Sequence, residues 1–318
     1  MARGMLSEPY RLRAPAKVNL YLEILGQREN GYHDLRSVVV PISIYDDVTL
    51  EPTGGAIETV VKETGLVNGE ELCRTGSVDN LATKAATALK KATGYQGGAR
   101  ITLEKNIPVG GGLGGGSADA AAVLTGLNRL WKMDLSVESL MEIGFKVGCD
   151  VPALVYGGAV CMEGLGEKVT PIPVTSGRDG DGCWLVVANP SFGVSTREIY
   201  SSYRSSLTRD DARFNNIVSA LKEGNPAGVA DGLFNGLQET VFGKYPLIEI
   251  MVEKLRSAGA MGAIVSGSGS SVFGLVADEE QAHKTAECVG KDLGFPVWSK
   301  VAKTLPDGVM VAHGPLEA

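Results

Sequence analysis

The sequence predicts a mixed α/β fold of the α+β kind, built as two domains, 1–175 and 183–318. Three observations carry that prediction. "APAKVNLYLEIL" (14–25) alternates apolar and polar residues with period two, the mark of a strand with one buried face. "IPVGGGLGGGSADAAAVL" (107–124) puts six glycines into seven positions and turns at once to alanine. That pattern reads as a strand end, a glycine loop and a helix start. "PVTSGRDGDGC" (173–183) loses all periodicity and is dominated by Gly, Asp and Ser, so it reads as a linker between two parts that each have strands and helices.

In the first strand, Val18, Leu20, Leu22 and Ile24 share the apolar face; Lys17, Asn19, Tyr21 and Glu23 share the polar one. "GQRENGYHDL" is a turn marked by Asn30-Gly31. "RSVVVPISIYDDVTLEP" is one strand or two, broken near Pro41. "DNLATKAATALKKATG" is a helix capped by Asp79 or Asn80 and stopped by Gly94. "ARITLEKNIP" is a strand ending at Pro108, and "SADAAAVLTGLNRLW" a helix burying Ala120, Leu124, Leu127 and Trp131. A further helix follows Leu135 with Ser136 as its cap. "VPALVYGGAVCMEG" returns to strand. Beyond the linker, "CWLVVANP" is a buried strand, "NNIVSALKEG" and "PLIEIMVEKLRSAG" are helices, "GAIVSGSGSSVFGLVA" follows, and the last helix lies near "EEQAHKTAECVGKDLG".

Composition narrows the function classes. The 318 residues are 44% hydrophobic and 21% charged, ordinary for a globular chain. A net charge of −7 without a basic stripe argues against a nucleic-acid partner. No apolar run reaches the ~18–20 residues of a membrane span, and the first residues lack the apolar core of a secretory signal. A cytoplasmic protein is expected. Five scattered cysteines (73, 149, 161, 183, 288) without C-x-x-C, and only three histidines, leave no metal site to expect.

The glycine segment formally contains G-x-G-x-x-G at Gly110, Gly112 and Gly115. A dinucleotide fold would follow the helix with another strand and an acidic residue, whereas here a second helix follows. A Walker A loop would place lysine at Gly116. Neither H-R-D nor D-F-G occurs. A strand, a glycine loop and a helix N-terminus remain. Exposed backbone N–H groups and the positive helix end suit phosphate oxygens; close helix–strand packing is the structural alternative. Ser117 could cap the helix or reach a phosphate or its Mg²⁺.

These residues resemble a known family. "PVGGGLGGGSADAAA" resembles the second motif of the GHMP kinases, small-molecule kinases whose loop cradles ATP phosphates. "APAKVNLYLEI" is similar to the first motif and "GAIVSGSGSSVFGLV" (262–276) to the third. "ENGYHDL" and "GCDVP" resemble the branch acting on a cytidine-diphosphate-linked methylerythritol. The resemblance runs from Ala14 to Val276. It implies a ribosomal-protein-S5-like N-terminal domain with the first two motifs and a ferredoxin-like C-terminal domain with the third. It also implies phosphoryl transfer from Mg-ATP to a hindered tertiary 2-hydroxyl in the cleft between them, where positioning and charge neutralisation supply most of the rate.

The same resemblance assigns roles. Asp150 would accept the hydroxyl proton, with a capping aspartate as the plainer reading. Lys17 would lie beside it and neutralise the transferring group, where a surface lysine is the usual case. Asn19, on the same strand face, would hydrogen-bond the substrate or simply be solvated. Tyr32 and His33 would hold cytosine, by stacking and by hydrogen bonding. Thr196 would sit near the substrate or cap a helix. ATP would contact Pro108, Val109, Gly110, Gly111, Gly112, Leu113, Gly114, Gly115, Gly116, Ser117 and Ala118, with Lys105 either approaching it or solvated. Ala118 stands where the commoner family loop has a second serine, so a second hydroxyl contact is missing. Cys149, without a nearby histidine, reads as a small packing residue. The expected partners are ATP and a small cytidyl substrate, with no nucleic acid and no membrane, in a monomer or homodimer. A kinase of this family for mevalonate, homoserine or a sugar is the alternative, opposed by Tyr32 and His33. A non-catalytic nucleotide-binding regulator is opposed by Lys17 and Asp150.

Overall fold

The alternation near the N-terminus produces two long strands, β1 (Tyr10–Gln27) and β2 (His33–Thr53), joined by the Asn30-Gly31 turn. Gly31 has φ +83°, and the Asn30 side chain accepts from the Tyr32 amide. The computed structural model describes residues 9–62, 79–174, 182–204, 209–305 and 310–311. Cys73, most of the 173–183 linker and the first eight residues lie outside the described residues.

After β2 come β3 (Ile57–Lys62), α1 (Leu81–Thr93), β4 (Gly98–Glu104), α2 (Gly115–Leu130), α3 (Val137–Phe145), α4 (Val151–Tyr156), β5 (Val160–Gly164) and β6 (Lys168–Pro171). The second part has β7 (Trp184–Asn189), α5 (Thr196–Ser202), α6 (Asp211–Lys222), α7 (Pro226–Gly232) and β8 (Phe234–Asn235). It continues with α8 (Gln238–Lys244), α9 (Pro246–Ser257), β9 (Gly262–Val265), β10 (Val272–Val276), α10 (Glu279–Asp292), β11 (Trp298–Lys303) and β12 (Met310–Val311).

The larger sheet runs β12-β1-β2-β4-β3; β5 pairs with β2 and β6, and β8 runs parallel to β1. The smaller sheet is antiparallel in the order β11-β7-β10-β9. Its buried strands obey period two. Leu185 and Val187 of β7, with Phe273 and Leu275 of β10, join a core with Ala16, Val18 and Leu20 of β1. Val186, Ala188, Val272 and Val276 face the other way, against Met251, Val252 and Leu255 of α9 and Ala282 and Val289 of α10. On the far side of the larger sheet, α1 to α4 pack over Val48 and Leu50 of β2 and Ile101 and Leu103 of β4.

This shared core corrects the half-buried reading of β1. Its polar face is buried too, with Lys17 3% and Asn19 5% exposed and Glu23 equally enclosed, because residues from both parts of the chain close over it: Ser37, Asp150 and Arg36 from the first, Gly267 and Asp210 from the second. Local amphipathicity reports which face is apolar, not whether the other is covered. Other differences are local. β2 is continuous, with its register shifting between the Pro15–Tyr45 and Ala16–Ile42 pairs rather than breaking at Pro41. The strand before the glycine loop ends at Glu104. Residues 151–156 are helix, not strand: Pro152 suits a first helical turn, and a short apolar run does not distinguish the two. α1 is capped by Asn80 and ended by Gly94 in the left-handed region, and α3 is capped by Ser136.

A candidate phosphoryl-transfer cleft

A cleft of about 1320 Å³ opens between the two parts. One wall is the glycine loop. Gly110, Gly112 and Gly114 have φ of +67°, +76° and +70°, a region costly for any residue with a Cβ. The carbonyls along the loop are engaged. Gly110 O accepts from Val194 N, Gly111 O from Ser271 N and Leu113 O from Lys17 N, at 2.9–3.0 Å, while the Ser266 hydroxyl donates to Gly112 O. The third-motif loop, between β9 and β10, therefore grips the second from behind. A Cβ on Gly112 would overlap the Ser266 carbonyl oxygen and lie 2.9 Å from Gly269 O. Asn235 holds the third-motif loop in turn, donating to the carbonyls of Val265 and Gly267.

Gly114 precedes α2 as its N-cap, without a side-chain cap bond. Ser117 is therefore inside the first turn and not the cap. The amides of Gly115, Gly116 and Ser117 are among the donors that a helix start leaves without intrahelical partners. Pro108, Val109, Gly110, Gly111, Gly112, Gly114, Gly115, Gly116 and Ser117 line the cleft. Leu113 and Ala118 do not: both side chains are buried in the core, and the Ala118 amide is spent on Gly114 O. A serine at 118 would face that core, so its hydroxyl is no loss to the cleft.

Beneath the loop lies a buried ion cluster. The Lys105 ammonium bridges Asp46 Oδ2 and Asp119 Oδ2. Asp46 Oδ1 also accepts from the Asn106 and Ile107 amides, at 2.5 and 2.9 Å. Lys105 is not solvated: it reaches the cleft lining with its ammonium held between two carboxylates, and it braces the stem of the loop against α2. Burial pushes the Asp119 carboxyl up, to about 7, against the pull of Lys105; the two flanking carboxylates hold Lys105 protonated above the usual lysine range despite its burial. The sequence carried one signal of this cluster. Asp46 interrupts the apolar face of β2 between Ile44 and Val48.

Against the loop at Leu113 and Gly114 lies a charged pair. Lys17 Nζ lies 3.6 Å from Asp150 Oδ2 and donates to Asn19 Oδ1 at 2.6 Å. Asn19 donates to the Ser37 hydroxyl, and Ser37 to the Tyr21 carbonyl. This chain orients Lys17 from behind. Asp150 stands at the N-cap position of α4 yet makes no cap hydrogen bond, so the capping reading fails. Lys17 and Asn19 are not solvated. Cys149 is exposed in the cleft rather than packed; burial of part of its surface, and then the Asp150 charge, push its thiol up.

At the far end, Tyr32 is 61% exposed. His33 sits 5.5 Å from the Tyr200 ring and 6.0 Å from Tyr203. Burial lowers the His33 pKa, which favours a neutral imidazole able to donate and accept. Thr196 is the first residue of α5, capped by Ser195, and its hydroxyl lies 2.9 Å from that of Ser268. Gly267 and Ser268 lie within the third-motif segment, whereas Tyr200 has no local mark in the sequence that would single it out. Among the described residues no group of three or more His, Cys, Asp or Glu could hold a metal, and no helix is long and apolar enough to cross a membrane.

Family models for the GHMP kinases N terminal domain and the GHMP kinases C terminal match residues 80–158 and 217–294. A 4-diphosphocytidyl-2-C-methyl-D-erythritol kinase of Symbiobacterium thermophilum is 40% identical over 293 residues, 91% of this chain and 98% of that protein. The chain belongs to the GHMP kinases. Within that family, a crystal structure of 4-(cytidine 5'-diphospho)-2C-methyl-D-erythritol kinase aligns at TM-score 0.74 and 31% identity, over 92% of this chain and 99% of the other. A homoserine kinase from Cytophaga hutchinsonii aligns at TM-score 0.75 over 98% and 99%, but at 19% identity. The two-domain GHMP kinase fold is thus shared across acceptors, and backbone shape does not select among them.

Proposed function

We propose that this GHMP kinase transfers the γ-phosphoryl group of ATP to the 2-hydroxyl of 4-diphosphocytidyl-2-C-methyl-D-erythritol, in the non-mevalonate route to isoprenoid precursors. Identity with kinases of that name over nine-tenths of the chain carries the reading. The open Tyr32–His33 end of the cleft supports it, since mevalonate and homoserine have no base to put there.

The glycine cradle and the first turn of α2 suit a polyphosphate. Mg²⁺ bound with the nucleotide would neutralise phosphate charge, with the Ser117 hydroxyl as the protein group to hold it. The acceptor oxygen bonds to the γ-phosphorus as the bond to the ADP bridging oxygen breaks, and Asp150 takes the hydroxyl proton. Lys17, oriented by Asn19, stabilises the charge that develops on the transferring group. Thr196 contacts the acceptor. Lys105 acts on ATP only through the loop it braces. The reading also takes 1–175 and 183–318 as the two domains, the cytoplasm as the location, and a monomer or homodimer as the working form; the smaller sheet, lying wholly within 183–318, supports the division, although β8 and β12 of that part join the larger sheet.

The test is ADP release with Mg-ATP and a panel of alcohols. Release should depend on the diphosphocytidyl compound. Release with mevalonate, homoserine or galactose instead would overturn the assignment, and nucleotide binding without turnover would favour a regulator.

A further inference from the structure

We infer that Arg197 holds the diphosphate of the acceptor. The inference rests on the cytidyl reading above and adds a residue to it. The acceptor joins a base to a methylerythritol through two phosphates, so a charged linker must lie between the two ends of the cleft. α5 runs along that interval. Its first residue, Thr196, is hydrogen-bonded to Ser268, whose neighbour Gly267 lies against Lys17 and Asn19. Tyr200, one turn on, lies beside His33 at the base end. At ~100° per residue, Thr196, Tyr200, Arg197 and Ser201 fall within about 140° of the helix circumference, and all four line the cleft. Arg197 therefore sits between the reacting end and the base end, on the same wall.

Its charge is available. The other cations lining the cleft are committed: Lys17 to Asn19 and Asp150, Lys105 to Asp46 and Asp119, and Arg204 to the carbonyls of Ser201 and Tyr203. Arg197 is exposed and makes no hydrogen bond or ion pair among the described residues. The adjacent Glu198 is paired with Lys244 and does not neutralise it. A planar guanidinium with a two-pronged donor edge fits a diphosphate better than an ammonium does.

The test is steady-state kinetics of Arg197→Ala and Arg197→Lys with the diphosphocytidyl substrate at saturating Mg-ATP, with cytidine as a competitive inhibitor. Arg197→Ala should raise KM for the substrate about 10- to 100-fold. KM for ATP and inhibition by cytidine, which has no phosphate, should stay within about twofold. Arg197→Lys should fall between, and the effect should shrink as salt rises, because the site is exposed. An unchanged substrate KM overturns the inference. So does a shift in KM for ATP alone, which would give Arg197 to the donor polyphosphate. A wild-type enzyme that ignores the cytidyl substrate but turns over another alcohol overturns the functional reading and this inference with it.

Discussion

Replacing Gly112 by alanine tests whether the second and third motifs act as one unit. The perturbation has two parts. At φ +76° the new Cβ is in the left-handed region, costing about 1–2 kcal/mol. It would also overlap the Ser266 carbonyl oxygen and crowd Gly269 O at 2.9 Å. Both neighbours are backbone, so the loops must separate. Separation breaks the Ser266 hydroxyl bond to Gly112 O and the Ser271 amide bond to Gly111 O, at roughly 1 kcal/mol each. The sum is about 3–4 kcal/mol, equivalent to a Tm drop on the order of 4–6 °C for a chain of 318 residues. If the donor phosphates are held by the displaced loop, kcat/KM for ATP should fall on the order of 100-fold. Calorimetry and ATP-titrated kinetics read the two effects. Gly26→Ala, where a Cβ meets nothing within 4 Å and φ is not positive, is the control and should change neither by much. A Gly112→Ala enzyme with a wild-type Tm and kcat/KM within threefold would refute the coupling of the two loops.

Three further outcomes follow from the site. Asp150→Asn should lower kcat by about 10²–10⁴ while leaving KM for ATP nearly unchanged; full activity would remove Asp150 from the role of base. Lys105→Met leaves two buried carboxylates without their cation and should cost about 3–5 kcal/mol in urea unfolding, part of it recovered by adding Asp119→Asn; a loss below about 1 kcal/mol would mean the cluster is not a structural brace. Cys149, with its thiol above the ordinary value of 9.0, should alkylate slowly at pH 7.5 despite its exposure. Its thiolate fraction, and so its rate, should climb as pH rises past 9. Peptide mass mapping would read this, and labelling at a free-thiol rate at pH 7.5 would contradict the shift.

Much of the site was legible in the chain because it is written locally. The glycine loop, the Asn30-Gly31 turn, the caps at Asn80 and Ser136, and the period-two pattern of β1 depend on neighbours a few residues apart, and each appears where its pattern puts it. The roles proposed for Lys17, Asp150, Tyr32 and His33 come only from family resemblance. In isolation, a lysine on a strand and an aspartate before a valine and a proline have plainer readings.

What the sequence by itself determined is therefore most of the longer, strongly periodic elements and the presence of a glycine-rich backbone able to approach a phosphate, since local sterics and hydrophobic period decide both; short apolar runs such as 151–156 it left ambiguous. Tertiary structure alone decided that the polar face of β1 is buried, because that depends on partners far away in the chain, Asp150 beside Lys17, Ser37 beside Asn19, and Arg36 with the Asp210 amide against Glu23. It decided that Lys105 is locked between Asp46 and Asp119, 59 and 14 residues distant. It also decided that Ala118 faces the core. These depend on what the rest of the chain brings alongside, and charge, unlike hydrophobic period, has its meaning set by the partner it meets.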